Sequence, residues 1–116
     1  MHVGTDLVEV KRISNLIVNY NKKFLNRIYT NNEQNYCKRK KIPQIHYAGR
    51  FAAKEAVKKT LLESDLISSI NLKNIEINNT KDGAPYIIIK NYSIDKNIKI
   101  SISHTDKYAI AFAILF

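Results

Sequence analysis

The sequence is poor in the residues that usually mark special sites or breaks in a chain. Among its 116 residues are one cysteine, two prolines, three glycines and no tryptophan. The single Cys37 excludes an internal disulfide and a cysteine-rich zinc site. Because Cys37 stands in the polar run 35–41, we expect an inert thiol. The chain also lacks a glycine-rich phosphate loop and the HExxH and CxxC motifs, which removes several common classes of enzyme.

Long hydrophobic runs are absent as well. No stretch approaches the ~20 apolar residues of a membrane span, so no membrane partner is expected. The start, Met1 to Gly4, already has a strand pattern, and we therefore expect no targeting peptide. We expect a reducing compartment: the cytoplasm, or a plastid stroma if a targeting segment has been removed.

Length and charge set further limits. A chain of 116 residues with 45% hydrophobic and 25% charged residues is typical of one globular domain, covering 1–116. Such a chain has little room to enclose a large ligand without a second subunit. The formal net charge is +9 and the pI is about 9.7, which favours polyanionic partners without choosing among them.

The first half of the chain has helical periodicity after an initial strand. Residues 2–10 alternate as a strand, and 11–28 are predicted to be one helix. Thr30 and Glu33 have capping-box spacing, which predicts a helix to about Arg39. Pro43 precedes the strongest helix, roughly Gln44 to Glu63.

The second half changes to strand periodicity. Strands are predicted over 74–78, 86–90, 98–103 and 108–116, with turns at 81–83 and 104–106. The last strand alternates large residues with Ala109, Ala111 and Ala113, which suits a central strand. Helices followed by an antiparallel meander that joins the N-terminal strand predict an α+β fold, with one antiparallel sheet packed on the long helix.

Two carboxylates lie on faces that are otherwise apolar. On a helical wheel Glu55 falls inside the predicted buried stripe of the long helix, with Lys59 beside it. Asp6 shares its strand face with Gly4 and Val8. The stripe itself contains Ala48, Phe51, Ala52 and Leu62, while Arg50, Lys54 and Lys58 form a separate basic face.

These carboxylates have two explanations. Glu55 and Lys59 fit an ion pair at i,i+4 spacing, with Asp6 bonded to a basic neighbour. Alternatively, Asp6 and Glu55 are oxygen ligands of Mg²⁺, with Lys59 facing phosphate oxygens. His104, at a turn, is better suited to capping or phosphate contact than to a Ser103–His104–Asp106 triad, because adjacent strand residues point to opposite faces.

Four segments together resemble holo-acyl-carrier-protein synthase over nearly the whole chain. The resemblance implies the 4′-phosphopantetheinyl transferase fold, with smaller N-terminal helices beside one long helix. It also implies transfer of 4′-phosphopantetheine from coenzyme A to a serine of acyl carrier protein, for fatty acid biosynthesis. The product left behind is adenosine 3′,5′-bisphosphate. The segments are Gly4–Arg12 (GTDLVEVKR), Ala48–Ala56 (AGRFAAKEA), Gly83–Pro85 (GAP) and Ser101–Thr105 (SISHT).

The resemblance also assigns roles to residues. It implies that Asp6 and Glu55 hold Mg²⁺ and that Lys59 is the catalytic lysine. It further implies a homotrimer with active sites at the subunit interfaces. Coenzyme A, the substrate, is expected at Arg50, His104, Thr105, Lys41, Gly83 and Pro85. The acidic carrier protein is expected at Arg12, Lys23, Phe24 and Arg27.

The sequence departs from the family pattern in two places. After Lys59 the family usually has a glycine-containing turn, whereas this chain has Thr60 to Ser64 without glycine. The usual Gly-Lys-Pro turn has Ala84 in the place of lysine. Both differences bear on the affinity for coenzyme A more than on the type of reaction.

Two other functions are consistent with parts of the sequence. A basic nucleic-acid-binding domain would account for the positive charge and the seven tyrosines. It leaves Asp6 and Glu55 unexplained, because carboxylates repel phosphates unless a cation lies between them. A related phosphopantetheinyl transferase acting on other carrier domains is the second alternative, although such relatives are commonly about twice this length.

Overall fold

The computed structural model describes all 116 residues and consists of helices packed on one side of antiparallel strands. The helical part comes mainly from the first half of the chain and the strands mainly from the second. In chain order the elements are β1 (His2–Glu9), α1 (Val10–Tyr20), α2 (Lys22–Ile28), α3 (Asn31–Lys38), α4 (Pro43–Glu63), a 3₁₀ turn (Leu72–Asn74), β2 (Ile75–Asn79), β3 (Pro85–Ile89), β4 (Ile98–His104) and β5 (Tyr108–Leu115).

The long helix α4 lies against a three-stranded antiparallel sheet of order β1–β5–β4. The predicted central position of the last strand is confirmed. Ala109, Ala111 and Ala113 are fully buried between the sheet and α4. Small side chains at these positions let the helix approach the sheet closely, since each alanine adds only a methyl group.

The alternation predicted for the first strand is also observed. Gly4, Asp6 and Val8 face α4, while Val3 and Leu7 point to the other side of the sheet. A Cβ atom on Gly4 would lie 2.2 Å from the carbonyl oxygen of Ala56, which no side chain can accept. Glycine at position 4 therefore sets the contact between β1 and α4, and with it the placement of Asp6 two residues later.

Local signals correctly predicted the boundaries of α3 and α4. The Thr30 hydroxyl accepts from the Glu33 N–H, and the Glu33 carboxylate accepts from the Thr30 N–H at 2.8 Å, so the capping box is complete. Pro43 occupies the first turn of α4, where its missing N–H is harmless. None of the helices has the length and hydropathy needed to span a membrane.

The single helix predicted over 11–28 is wrong, because the chain breaks at Asn21. Asn21 has φ 49° and ψ −128°, its N–H caps α1 through Ile17, and its carbonyl begins α2 through Leu25. Asparagine tolerates positive φ better than most residues. The predicted single meander is interrupted too: β2 and β3 form a separate two-stranded sheet, with no ladder between β3 and β4.

The predicted faces of α4 are corrected by its burial. The helix is buried on most of its surface, so Ala53, Ala56 and Val57 join the core, whereas Leu62 is only half-buried. The basic face does not exist as a solvated face, since Arg50 and Lys54 are buried. Lys54 Nζ lies 2.7 Å from Glu33 Oε1, and neither side chain is exposed.

Cys37 is fully buried, contrary to what its polar surroundings in the sequence suggest. Burial raises the pKa of the thiol to about 12, which keeps it protonated at neutral pH. The interpretation of Cys37 as inert is consistent with this placement.

Candidate active site

Residues predicted to act together fall into two groups on different sides of α4. The first group lines a cavity of about 240 Å³ between the start of α4, the β2–β3 turn and the end of β4. The second lies where β1 crosses the C-terminal half of α4. At 100° per residue, Arg50 and Lys59 are about 180° apart around the helix and about 14 Å apart along it.

Arg50 is the most unusual side chain of the cavity. It is 4% exposed and has no carboxylate partner, and its Nε is buried without a hydrogen bond. Its Nη2 donates to Asn79 Oδ1, and its Cζ lies 3.7 Å from the centroid of the Tyr36 ring. A buried guanidinium with an unused donor is costly unless an anion completes its coordination. The cavity therefore suits an anionic ligand.

Four of the six residues predicted for coenzyme binding meet at this cavity, namely Arg50, His104, Gly83 and Pro85. Gly83 has φ 90°, a conformation that favours glycine, and its carbonyl accepts from Asn79 Nδ2 at 2.9 Å. Asn79 thus connects Arg50 to the β2–β3 turn, which forms one wall of the cavity.

The other two predicted coenzyme residues lie outside the cavity. Thr105 is exposed, and its hydroxyl accepts from the N–H groups of Lys107 and Tyr108, which caps the β4–β5 turn. Lys41 is exposed in the connection between α3 and α4. The Thr105 hydroxyl thus stabilises the turn, and neither Thr105 nor Lys41 lines the cavity of the single chain.

Asp6, Glu55 and Lys59 form the second group. Lys59 Nζ lies 3.2 Å from Asp6 Oδ1 and donates to the Thr5 carbonyl at 2.8 Å. Asp6 is thus bonded to a basic neighbour, but the i,i+4 pair of Glu55 with Lys59 does not form. Glu55 is half-buried one turn before Lys59 and takes part in none of the ion pairs of the chain.

The donor set of this second group fits a hard cation. No three side chains among His, Cys, Asp and Glu are grouped to hold a metal ion, and the two carboxylates predicted as ligands are Asp6 and Glu55. Two carboxylates are what Mg²⁺ commonly takes from a protein when phosphates and waters complete its shell. Glu55 is half-buried and makes no ion pair, and a bound cation would offset the cost of partly burying its charge.

Comparison with known proteins identifies the family. The model of the 4′-phosphopantetheinyl transferase superfamily matches residues 2–113. The chain belongs to this superfamily. The matched range includes every residue of both groups, from Asp6 to His104.

Similar transferases with the name holo-[acyl-carrier-protein] synthase cover nearly the same length. The one from Protochlamydia amoebophila is 42% identical over 116 residues, 97% of this chain and 94% of that protein. The one from Halothermothrix orenii is 43% identical over 119 residues, with the same coverage.

Solved structures of such transferases share the fold. Helicobacter pylori holo-[acyl-carrier-protein] synthase in complex with coenzyme A has a TM-score of 0.85 at 30% identity, covering 98% of this chain and 99% of that chain. The Bacillus anthracis synthase in complex with CoA (3′,5′-ADP) has a TM-score of 0.82 at 32% identity, covering 98% and 94%. The nucleic-acid-binding alternative receives no support from these relatives.

The residues predicted to meet the carrier protein lie on α1 and α2 of this transferase. Arg12, Lys23 and Arg27 are exposed. The Arg12 guanidinium lies 5.7 Å from the centroid of the Phe51 ring. Phe24 is half-buried and packs edge-on against Tyr29, with ring centroids 6.0 Å apart, so much of its surface is used within the fold.

Sequence reasoning missed three cavity residues that carry polar side chains: Tyr36, His46 and Asn79. His46 lies four residues before Arg50, and this i,i+4 spacing on one helix face is a signal that was available. Tyr36 and Asn79 come from α3 and β2, and no spacing in the sequence relates them to Arg50.

Proposed function

We propose that this chain transfers 4′-phosphopantetheine from coenzyme A to a serine of apo acyl carrier protein and releases adenosine 3′,5′-bisphosphate. The observation that carries the proposal is Arg50, a buried cation with an unused donor in a cavity that also contains His104. That cavity is built from the segments that match the transferase family. The chain acts as a single transferase domain over residues 1–116.

The reaction needs a charged leaving group to be stabilised. The serine oxygen attacks the phosphorus that carries pantetheine, and the bond from that phosphorus to the bridging oxygen breaks. The serine proton passes to a water molecule, and the electron pair of the broken P–O bond leaves with the bisphosphate, whose oxygen is neutralised by a cation or a proton. When bound, Mg²⁺ supplies neutralisation of the pyrophosphate charge, which is the main requirement of phosphoryl transfer.

The residues of the second group have roles in this scheme. Asp6 and Glu55 hold the cation. Lys59 keeps its hydrogen bond to the Thr5 carbonyl, which anchors the ammonium at this place. The N–H group that bonds neither Thr5 nor Asp6 then faces the leaving oxygen, which Lys59 stabilises or protonates.

Transfer to a carrier protein is the direct test. Apo acyl carrier protein incubated with the chain, coenzyme A and Mg²⁺ is expected to gain the mass of one phosphopantetheine in intact-mass spectrometry. The gain should be absent with EDTA, and absent with a carrier whose acceptor serine is replaced by alanine. A carrier that stays unmodified in all conditions, with several carrier proteins tried, would contradict the proposal.

The carrier protein is acidic in this family, and the chain offers a complementary surface. Arg12, Lys23 and Arg27 are free to meet carboxylates on a partner, and α1 and α2 contribute further lysines. Such charges chiefly steer the encounter and raise the association rate at low salt. They account for part of the net charge of +9.

The separation of the two groups on α4 supports a site shared between subunits. Arg50 and Lys59 point in opposite directions from one helix, so a ligand bound to Arg50 lies on the side of α4 away from Lys59 of the same chain. A ring of identical chains brings one group of each chain opposite the other group of its neighbour. We therefore place the active sites at the interfaces of a homotrimer.

The outer face of the three-stranded sheet supplies a surface for this assembly. Leu7, Ile110 and Phe112 are 64%, 46% and 44% exposed, and Leu7 pairs with Ile110 in the β1–β5 register. Val3 and Tyr108 extend the patch. A contiguous apolar face of this kind on a small domain usually marks an interface.

Mixing two inactive variants tests the shared site. Arg50→Ala and Lys59→Ala are each expected to be inactive, because each removes one half of every site. In trimers assembled from equal amounts of both, a site with both halves intact forms with probability one half times one half, so about one quarter of the wild-type activity should return. The measurement is the transfer rate after co-refolding.

The control for this mixing experiment uses the apolar sheet face. Adding Leu7→Asp to both variants should prevent the recovery and shift sedimentation toward the 13.4 kDa monomer. Leu66→Asp, which places the same charge on an exposed leucine after α4, should leave the recovery unchanged. A mixture of the two inactive variants that assembles normally and recovers no activity would contradict the shared site, and full activity of either variant alone would remove that residue from the site.

A further inference from the structure

His46 has no role in the scheme above, yet it lies inside the coenzyme cavity. Its ring stands between those of His104 and Tyr36, with centroid distances of 5.6 Å and 6.0 Å and edge-to-face angles of 69° and 76°. Because His46 and Arg50 are one helical turn apart, both side chains project from α4 to the same cavity.

The groups that surround His46 are cationic or neutral. Arg50 on α4, Lys40 before α4 and His104 on β4 face it, together with the Tyr36 ring from α3. No carboxylate lines the cavity. Burial lowers the pKa of His46, and the charges of His104, Lys40 and Arg50 lower it further. In the free protein the imidazole is therefore neutral at pH values where an ordinary histidine is already partly protonated.

A bound dianion reverses this balance. A phosphate monoester next to Arg50 replaces repulsion by attraction, so protonation of His46 becomes favourable when the ligand enters. Coenzyme A carries one such monoester, on its ribose, in addition to a pyrophosphate. The second ionisation of a phosphate monoester lies near pH 6, whereas the pyrophosphate diester does not titrate there.

We propose that His46 is a specificity-determining residue that recognises the monoester phosphate of coenzyme A and takes up a proton as it binds. The proposal rests on the proposed function for the identity of the ligand. The cavity thereby distinguishes coenzyme A from the same molecule without its monoester, and binding becomes tighter as the pH falls toward 6.

Calorimetry of coenzyme A binding, without Mg²⁺ or carrier protein, tests this inference. Measurements in buffers of different ionisation enthalpy give the number of protons taken up. We expect wild-type protein at about pH 6 to bind coenzyme A with net proton uptake, and to bind dephospho-coenzyme A without it. Loss of a charge-assisted hydrogen bond should make His46→Phe bind coenzyme A about tenfold more weakly at that pH, with little change at about pH 8.

The substitution is chosen so that the fold is retained. Phenylalanine keeps the aromatic contacts with Tyr36 and His104 and cannot take up a proton. His2→Phe is the matched control, because His2 lies at the start of β1, away from the cavity, and should leave the proton uptake as in wild type. The protonation of free coenzyme A is the same for all variants, so a difference in proton uptake between His46→Phe and wild type originates in the protein and its complex.

The outcomes separate this inference from the function on which it rests. Equal proton uptake and equal affinity of His46→Phe and wild type for coenzyme A would overturn the role of His46 even if transfer occurs. The role of His46 would also be overturned if the affinity for dephospho-coenzyme A had the same pH dependence as the affinity for coenzyme A. If wild type binds coenzyme A with His46-dependent proton uptake but modifies no carrier, the proposed function fails and the site remains.

Discussion

Glu55→Gln is expected to lower the Mg²⁺-dependent transfer rate at least about 100-fold. The change removes one of two carboxylates from the cation site, and the loss of even an outer-shell partner of a metal costs up to about that factor. Glutamine has the same shape, and Glu55 makes no ion pair within the chain. The free energy of unfolding should therefore change by no more than about 0.5 kcal/mol.

The measurements are initial rates of carrier modification over a range of Mg²⁺ concentrations, together with denaturant unfolding. Glu63→Gln is the matched control, because Glu63 is an exposed carboxylate near the end of the same helix, with its Oε1 3.9 Å from His2. That variant should show the rate and the Mg²⁺ dependence of wild type. Normal turnover of Glu55→Gln would remove Glu55 from the cation site.

Much of the fold was predictable because its signals are local. The capping box at Thr30 and Glu33, the proline before α4 and the alternation of β1 and β5 each concern residues a few positions apart. The break at Asn21 was not predicted, because the residues around it keep their helical pattern and the interruption depends on one backbone conformation. The absence of a ladder between β3 and β4 depends on packing between distant segments. The alternation of residues within each strand carries no information about that packing.

The residues of the candidate site were predictable where they stand in segments that resemble the family. Arg50, Gly83 and His104 stand in segments that resemble the family, and the structure brings them to one cavity. The burial of Arg50 was missed, because a helical wheel identifies one apolar face and carries no information about other elements that cover the opposite, basic side. For the same reason Tyr36 and Asn79, which hold Arg50, came only from the structure.

Next to this cavity, the structure buries a second cation of α4. Lys54 lies one turn after Arg50, and its Nζ donates to the carbonyls of Leu72 at 3.1 Å and Ile75 at 2.7 Å. Its carboxylate partner Glu33 also accepts from the Ile77 N–H at 2.8 Å. Burial lowers the pKa of Lys54, and Glu33 opposes that shift. The pair thus connects α3, α4 and β2 one helical turn after Arg50.

Lys54→Met is expected to lower the free energy of unfolding by about 3–5 kcal/mol, because it leaves the Glu33 charge buried without its partner. A loss of this size is a large fraction of the total stability of a small domain. The double variant Glu33→Gln, Lys54→Met should recover part of the loss, since no uncompensated charge then remains in the core, while the amide offers only one oxygen to the N–H groups of Thr30 and Ile77. Lys58→Met, on the next turn, removes a half-buried lysine that makes no ion pair and should change stability by no more than about 0.5 kcal/mol.

Denaturant unfolding at one fixed chain concentration gives these values, because an assembling protein gains apparent stability with concentration. A Lys54→Met variant as stable as wild type would show that the core tolerates the lone carboxylate by taking up a proton or water. Saturating coenzyme A should raise the stability of wild type and of the double variant by the same amount if the pair only supports the fold. A smaller gain in the double variant would show that the pair also holds Arg50 in place for its ligand. In that case the hydrogen bond to Asn79 and the contact with the Tyr36 ring would not be sufficient to position Arg50.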